Sequence, residues 1–192
     1  MNLPNKLTIL RIIMIPIFVA VFYLTMIPYN YVISAVIFAL AAFTDFLDGY
    51  IARKYKLVTN LGKFLDPIAD KVLVSTALII MLLPFPSEYQ IIPFYGAIAV
   101  AIILARELIV SGFRIVAASN GKVLAADKSG KVKTFLQDVS ILVLLVGADL
   151  TPGLFNGLNL VGLIMLAIAT VLTIVSGVEC IVKNIDVLKD NK

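Results

Sequence analysis

Four aspartates fall in two closely spaced pairs within the second and third apolar segments of the chain: Asp45 and Asp48, then Asp66 and Asp70. Separations of three and four residues place each pair on one face of a helix. A short turn between the two helices lets the pairs converge. A carboxylate in or near hydrocarbon costs about 2.5–3.5 kcal/mol on insertion scales, so four together need cationic compensation. Two sources are open. The aspartates can pair with nearby Arg53, Lys63 and Lys71, or lie at a wet membrane edge. Alternatively, divalent cations bridge them, because like carboxylates crowded on facing helices repel one another. All-oxygen donors select hard ions, Mg²⁺ or Mn²⁺, over zinc. Two such ions held by shared carboxylates suit phosphoryl transfer.

Small residues accompany the acids. Gly49 follows Asp48, Ala52 lies one turn beyond it, and Gly62 lies one turn before Asp66. Close helix packing in a membrane explains small residues equally well. Beside four carboxylates they also leave room for a diphosphate and a nucleotide.

A second, cationic group follows. Arg106 and Glu107 interrupt an apolar stretch; as adjacent helical residues about 100° apart they are expected not to face one another and to need partners on other helices. For Arg106 the bland alternative is a structural pair, for example with Asp138. Ser111, Gly112 and Arg114 come next, then Lys131, Lys133, Thr134, Gln137 and Asp138. Together these can surround a phosphate with charge-assisted hydrogen bonds, Arg114 and Lys131 with Thr134 being the foremost candidates. Lys122 and Lys128 read instead as a solvated basic loop meeting anionic headgroups.

The elements that must position these groups follow from composition. The chain has 192 residues, 61% hydrophobic and 15% charged, with a mean hydropathy of +1.04, against about 25% charged in soluble domains. It reads as an integral membrane protein. It has no His, which removes His-based acid–base chemistry, His metal sites and the common Ser/His/Asp triad. The single Cys180 cannot form an intramolecular disulfide or a Cys zinc cluster and reads as a small apolar residue facing lipid or another helix.

The uncharged run Ile12–Thr44 is 33 residues long, about 50 Å as helix against a hydrocarbon core of about 30 Å, so it must turn back once, at Pro28-Tyr29-Asn30. Leu83-Pro84-Phe85-Pro86-Ser87 and the Thr151-Pro152-Gly153 to Asn156-Gly157 region supply further turns. The expectation is an all-α polytopic membrane protein of six transmembrane helices, over 6–27, 31–54, 61–83, 91–118, 134–148 and 158–183. Met1–Arg11 is expected to be a short N-terminal interfacial segment leading into the first span. It does not read as a cleaved leader, because the apolar run is long and no small-x-small site precedes the turn. Residues 1–192 form one domain in this reading, without repeats or linkers.

None of the sixteen Lys and Arg lies in the turns near 28–31, 84–90 or 149–157, which carry Glu88 and Asp149. Both termini are therefore expected on the cytoplasmic side. Tyr23, Tyr29, Tyr31, Tyr89 and Tyr95 cluster at the opposite turns, as interfacial aromatics do. The net charge of +4 is thereby accounted for by topology, and no nucleic-acid partner is expected.

The run Asp45-x2-Asp48-Gly49-x2-Ala52-Arg53-x8-Gly62-x3-Asp66-x3-Asp70 resembles, at every defined position, the signature of the CDP-alcohol phosphotransferases. Six-span hydropathy with a cytoplasmic-side site is also a property of that family. Leu3-Pro4-Asn5-Lys6-Leu7-Thr8-x2-Arg11, Ala105-Arg106-Glu107-Leu108 through Ser111-Gly112-Phe113-Arg114, and Gly130-Lys131-Val132-Lys133-Thr134-x2-Gln137 resemble the bacterial phosphatidylglycerophosphate synthases within it.

The resemblance implies transfer of a phosphatidyl group from CDP-diacylglycerol to sn-glycerol 3-phosphate with release of CMP. It implies two Mg²⁺ or Mn²⁺ ions held by Asp45, Asp48, Asp66 and Asp70, with Asp66 bridging both and Asp70 also serving as general base. Asn5, Thr8, Gly49, Ala52, Arg53 and Gly62 are implied at the CDP site, near which Arg11 also approaches unless it is an interfacial anchor. Arg106, Ser111, Arg114, Lys131, Lys133, Thr134 and Gln137 are taken as the acceptor-phosphate residues, and membrane lipids and a second copy of the chain as partners in a bacterial cytoplasmic membrane. The competing expectations are the same chemistry on inositol phosphate or phosphatidylglycerol, a divalent-cation transporter with intramembrane acids along its path, and a lipid-binding scaffold without turnover.

Overall fold

The structure is a computed structural model; it describes residues 2–55, 59–83, 90–94, 96–120, 122, 128–151 and 157–188. Six α-helices carry nearly all of them: α1 (Leu3–Tyr23), α2 (Asn30–Lys54), α3 (Asn60–Leu82), α4 (Gly96–Ser119), α5 (Lys128–Leu150) and α6 (Gly157–Lys183), with a short 3₁₀ turn over Ile185–Leu188. No strand occurs among the described residues. α1, α2 as far as Ala52, α4 and α6 are each long and apolar enough to cross a membrane. α3 and α5, at 23 residues each, match them in length but are interrupted by more charges, among them Asp66, Asp70 and Lys71 on α3 and Lys131, Lys133 and Asp138 on α5.

α1 shows how the sequence divides labour along one helix. Pro4 is accommodated in its first turn, where its missing N–H would have no intrahelical partner. The buried face then reads Asn5, Thr8, Arg11, Ile15, Phe18 and Phe22, a series of three- and four-residue steps along one stripe. Its N-terminal half is polar and its C-terminal half apolar. Phe18 meets Phe38 of α2 with ring centroids 6.0 Å apart, and Phe22 meets Tyr31 edge-on at 5.0 Å. These rings join Leu73, Leu78 and Met81 of α3 and Ile141, Leu144 and Leu145 of α5 in one apolar core. The expected interfacial segment before the first span is not separate: residues 3–11 are the opening turns of α1 itself, with Arg11 wholly buried.

The outward faces are as apolar as the core. Ile13, Val36, Leu40, Phe43, Ile98, Leu108, Ile164 and Val171 are all exposed, the pattern of helices solvated by lipid. Between helices, small residues permit close approach. A Cβ on Gly162 of α6 would come within 2.6 Å of Leu144 Cγ, and one on Gly147 of α5 within 2.4 Å of Asn159 Oδ1. α5 and α6 accordingly form the most extensive helix pair, followed by α1 with α2.

The turn at Pro28-Tyr29-Asn30 occurs where expected, and it is tight enough to hold Tyr29 at φ 58°. Asn30 Nδ2 donates to Phe22 O at 2.7 Å across it. Beside it Asp149 Oδ2 accepts from the Val32 N–H at 2.8 Å, tying the last turn of α5 to the first turn of α2. Of the aromatics expected at this side, Tyr29 is exposed while Tyr31 is buried against Phe22; Glu88, Tyr89 and Tyr95 lie outside the described residues, as do the turns over 84–87 and 152–156. α5 begins at Lys128 rather than near 134, so Lys131 and Lys133 stand on a helix and not in a loop. Cys180 is buried against Val110, Phe113, Ala117 and Val187, a helix-facing position.

Candidate active site

The acids and the polar end of α1 meet where α1, α2 and α3 pack together. Arg11 Nη1 donates to Asp45 Oδ1 at 2.6 Å and Nη2 to Asp48 Oδ2 at 2.5 Å, and Nε reaches Thr44 Oγ1 at 3.4 Å. The planar guanidinium matches two carboxylates three residues apart on one helix face. One turn earlier, Thr8 Oγ1 donates to Asp66 Oδ1 at 2.7 Å and lies 3.4 Å from Asp48 Oδ2, so α1 spans the gap between the α2 and α3 acids. Another turn earlier, Asn5 Oδ1 accepts from the Thr59 hydroxyl at 2.8 Å, while Thr59 Oγ1 accepts from the Gly62 N–H at 3.0 Å and caps α3. Gly62 is required by this approach: a Cβ there would lie 3.1 Å from Asn5 Oδ1 and 3.2 Å from Thr59 Oγ1.

The structure thus assigns the compensating charge differently from the sequence reading. Arg11, not Lys71, is the cation at Asp45 and Asp48; Lys71 Nζ donates instead to the Glu107 carbonyl at 3.3 Å. The side chains of Arg53 and Lys63 lie outside the described residues. The signal for Arg11 was present in the spacing Asn5, Thr8, Arg11, three polar residues at three-residue intervals on a helix that carries only Lys6 as a further charge.

One guanidinium does not neutralise four carboxylates. Asp45, Asp48, Asp66 and Asp70 form a hard, all-oxygen, anionic donor set, which in kind and in charge fits divalent cations. Among the described residues no three acidic groups are gathered around one point as a closed ion site, and the Arg11 guanidinium stands between Asp45 and Asp48.

Asp70 faces a neighbouring cleft between α3, α4 and α5. Lys71 and Ser75 line it from α3, Ile103 and Glu107 from α4, and Lys133, Thr134 and Gln137 from α5. Of the residues expected around a phosphate, Lys133, Thr134 and Gln137 are therefore brought together beside Asp70. Gln137 Oε1 is buried with no hydrogen-bond partner among the described residues. Arg106 stands behind the cleft, donating from Nη2 to Ser176 Oγ at 3.0 Å. Ser111 donates to the Glu107 carbonyl at 2.5 Å. Arg114 and Lys131, the foremost candidates in the sequence, are exposed and do not line the cleft.

Two further expectations are corrected. Arg106 and Glu107 do meet, Nη1 to Oε1 at 3.1 Å, because both side chains are long enough to swing from diverging Cβ directions to one point. Arg106 pairs with Glu107 and Ser176 rather than with Asp138. Glu107 itself, which the sequence reading left without a role at the site, also receives Lys133 Nζ in a direct ion pair.

Residues 1–175 match the CDP-alcohol phosphatidyltransferase family. The chain belongs to that family. It is 40% identical over 202 residues to a Bacillus subtilis (strain 168) protein named CDP-diacylglycerol–glycerol-3-phosphate 3-phosphatidyltransferase, covering 98% of this chain and 97% of that one. It is 44% identical over 176 residues to a protein of the same name from Rickettsia bellii (strain RML369-C), covering 92% and 91%.

Proposed function

We propose that this membrane enzyme transfers the phosphatidyl group of CDP-diacylglycerol to sn-glycerol 3-phosphate, giving phosphatidylglycerophosphate and CMP. The observation that carries this reading is the position of Asp70: it stands one helical turn beyond Asp66, which Thr8 links to the α2 acids, and it lines the cleft of Lys133, Thr134 and Gln137. The names of the relatives above point to the same donor and acceptor.

In this reading the donor's diphosphate lies against the acids, beside Asn5, Thr8, Gly49, Ala52, Arg53 and Gly62. The acceptor's phosphate lies near Lys133, and its hydroxyl is directed at Asp70. Asp70 takes the hydroxyl proton as the oxygen attacks the phosphorus bearing the diacylglycerol. The bond from that phosphorus to the CMP oxygen breaks, and CMP leaves with the electron pair. Holding both substrates in adjoining clefts supplies orientation, and the cations of the acceptor cleft supply electrostatic stabilisation. Asp45, Asp48, Asp66 and Asp70 would hold two divalent ions, Mg²⁺ or Mn²⁺, which when bound offset charge on the diphosphate.

The same reading makes residues 1–192 one domain of six transmembrane helices with both termini and the active site on the cytoplasmic side, assembled as a homodimer in a bacterial cytoplasmic membrane. None of the chain's sixteen Lys and Arg falls in the turns near 28–31, 84–90 or 149–157, in keeping with that orientation.

The deciding experiment measures CMP release by detergent-solubilised protein from CDP-diacylglycerol with Mg²⁺ or Mn²⁺, comparing glycerol 3-phosphate, inositol phosphate, serine, phosphatidylglycerol and no acceptor. Release only with glycerol 3-phosphate, abolished by chelator, is the expected result. Preference for another acceptor overturns the acceptor assignment, and no release with any overturns the reaction.

A further inference from the structure

Glu107 has no part in the reaction as described, yet more of the cationic groups around the acceptor cleft converge on it than on any other described residue. Its Oε1 receives Lys133 Nζ and Arg106 Nη1. Its main-chain oxygen receives Lys71 Nζ at 3.3 Å and the Ser111 hydroxyl at 2.5 Å. Two of these cations, Lys71 and Lys133, line the cleft together with Asp70. Lys133 is almost wholly buried, with 4% of its side chain exposed.

A buried ammonium on a flexible four-carbon stem has two ways to avoid its desolvation cost, losing its proton or swinging towards water. An adjacent carboxylate closes both. The Lys133 ammonium has three donors, and the contact with Glu107 uses one, leaving others for an oxygen in the cleft. Arg106 holds Glu107 from the opposite side and is itself fixed on α6. It donates to Ser176 at 3.0 Å, and its stem lies so close to Gly177 that a Cβ there would be 2.9 Å from Arg106 Cγ. The path from α6 through Arg106 and Glu107 to Lys133 is continuous.

We propose that Glu107 is a positioning residue for the acceptor's phosphate: it keeps Lys133 charged and aimed into the cleft beside Asp70, and touches no reacting atom. This rests on the reading of that cleft as the acceptor site. Glu107 costs some electrostatic repulsion towards an anion, but a neutral or displaced Lys133 costs the cleft its buried cation.

The test is a binding cycle on the full chain in detergent micelles, with glycerol 3-phosphate titrated calorimetrically in the absence of donor. The proteins are the wild type, Glu107→Gln, Lys133→Met and the double variant. Glu107→Gln keeps shape and hydrogen-bonding oxygen but not charge. The expected result is at least tenfold weaker binding for each single variant, with the double variant no weaker than Lys133→Met. In turnover, Glu107→Gln raises KM for the acceptor with kcat changed less than about threefold. Unchanged or tighter binding by Glu107→Gln, effects that multiply in the double variant, or a wild type that does not bind the probe overturns the proposal. Should Glu107→Gln not fold, Glu107→Asp replaces it; its shortened carboxylate is expected to weaken binding at least threefold, and only when Lys133 is present. CMP release by the wild type separates the two ideas. A cycle as expected without turnover retains the positioning role and removes the reaction; turnover with multiplying effects does the reverse.

Discussion

Nη2 of Arg11 lies 2.5 Å from Oδ2 of Asp48, and both side chains are buried, the arginine completely. A cation from the first helix is thus built into the acid set carried by the second and third. Asp45, on the other guanidinium nitrogen at 2.6 Å, is 42% exposed and less dependent on it.

Arg11→Met leaves Asp48 as a buried carboxylate without its partner, which is expected to cost about 3–5 kcal/mol. Unfolding in micelles followed by circular dichroism measures it. Arg11→Lys, with a point charge in place of a fork, recovers only part. A loss below about 1 kcal/mol for Arg11→Met would show that the pair does not hold the site together.

Thr8→Val removes the donor to Asp66, a bond to a charged acceptor worth about 1.5–3 kcal/mol. Because the same hydroxyl joins the α2 and α3 acids, the KM for CDP-diacylglycerol should rise while that for glycerol 3-phosphate stays within about twofold. Equal rises in both would refute the separation of donor and acceptor environments.

Gly62→Ala places a methyl 3.1 Å from Asn5 Oδ1 and 3.2 Å from Thr59 Oγ1. Stability should fall by about 1–3 kcal/mol through overpacking, and CMP release by about tenfold or more, since small displacements of positioning groups are costly to rate. Gly112→Ala is the control, having open space around its Cβ position; loss of similar size there would remove the steric explanation.

Asp70→Asn keeps size but cannot take a proton. CMP release should drop about 10²–10⁴-fold with unfolding unchanged within about 1 kcal/mol. Full activity would remove Asp70 from the base role.

Asp149→Ala tests the opposite end of the bundle. Losing the 2.8 Å bond to the Val32 N–H should cost about 1–2 kcal/mol of stability while steady-state CMP release at low temperature is unaltered. A change in KM for either substrate would mean that the two ends are coupled.

Much of this protein was legible in one dimension because its signals are local. Hydropathy placed six helices to within a few residues, the largest differences being at the end of α1 and the starts of α4 and α5, since apolar run length and turn residues act over a single element. The spacing of Asp45, Asp48, Asp66 and Asp70 placed each pair on one helical face, and the positions of Gly49, Ala52 and Gly62 carried the family resemblance that the comparisons bear out.

What only the tertiary structure decided is which charges meet. Arg11 and Asp48 are 37 residues apart, and Glu107 and Lys133 are 26 apart; no periodicity within one helix encodes the angle at which another helix presents its side chains. Arg114 and Lys131 looked as well placed as Lys133 along the chain, yet helix rotation turned them outward and turned Lys133 in. Each helix's sequence dictates its own stripe of polar and small residues, whereas the pairing of stripes follows from how six helices pack at once, and it is this pairing that brings Asp70 and Lys133 into one cleft.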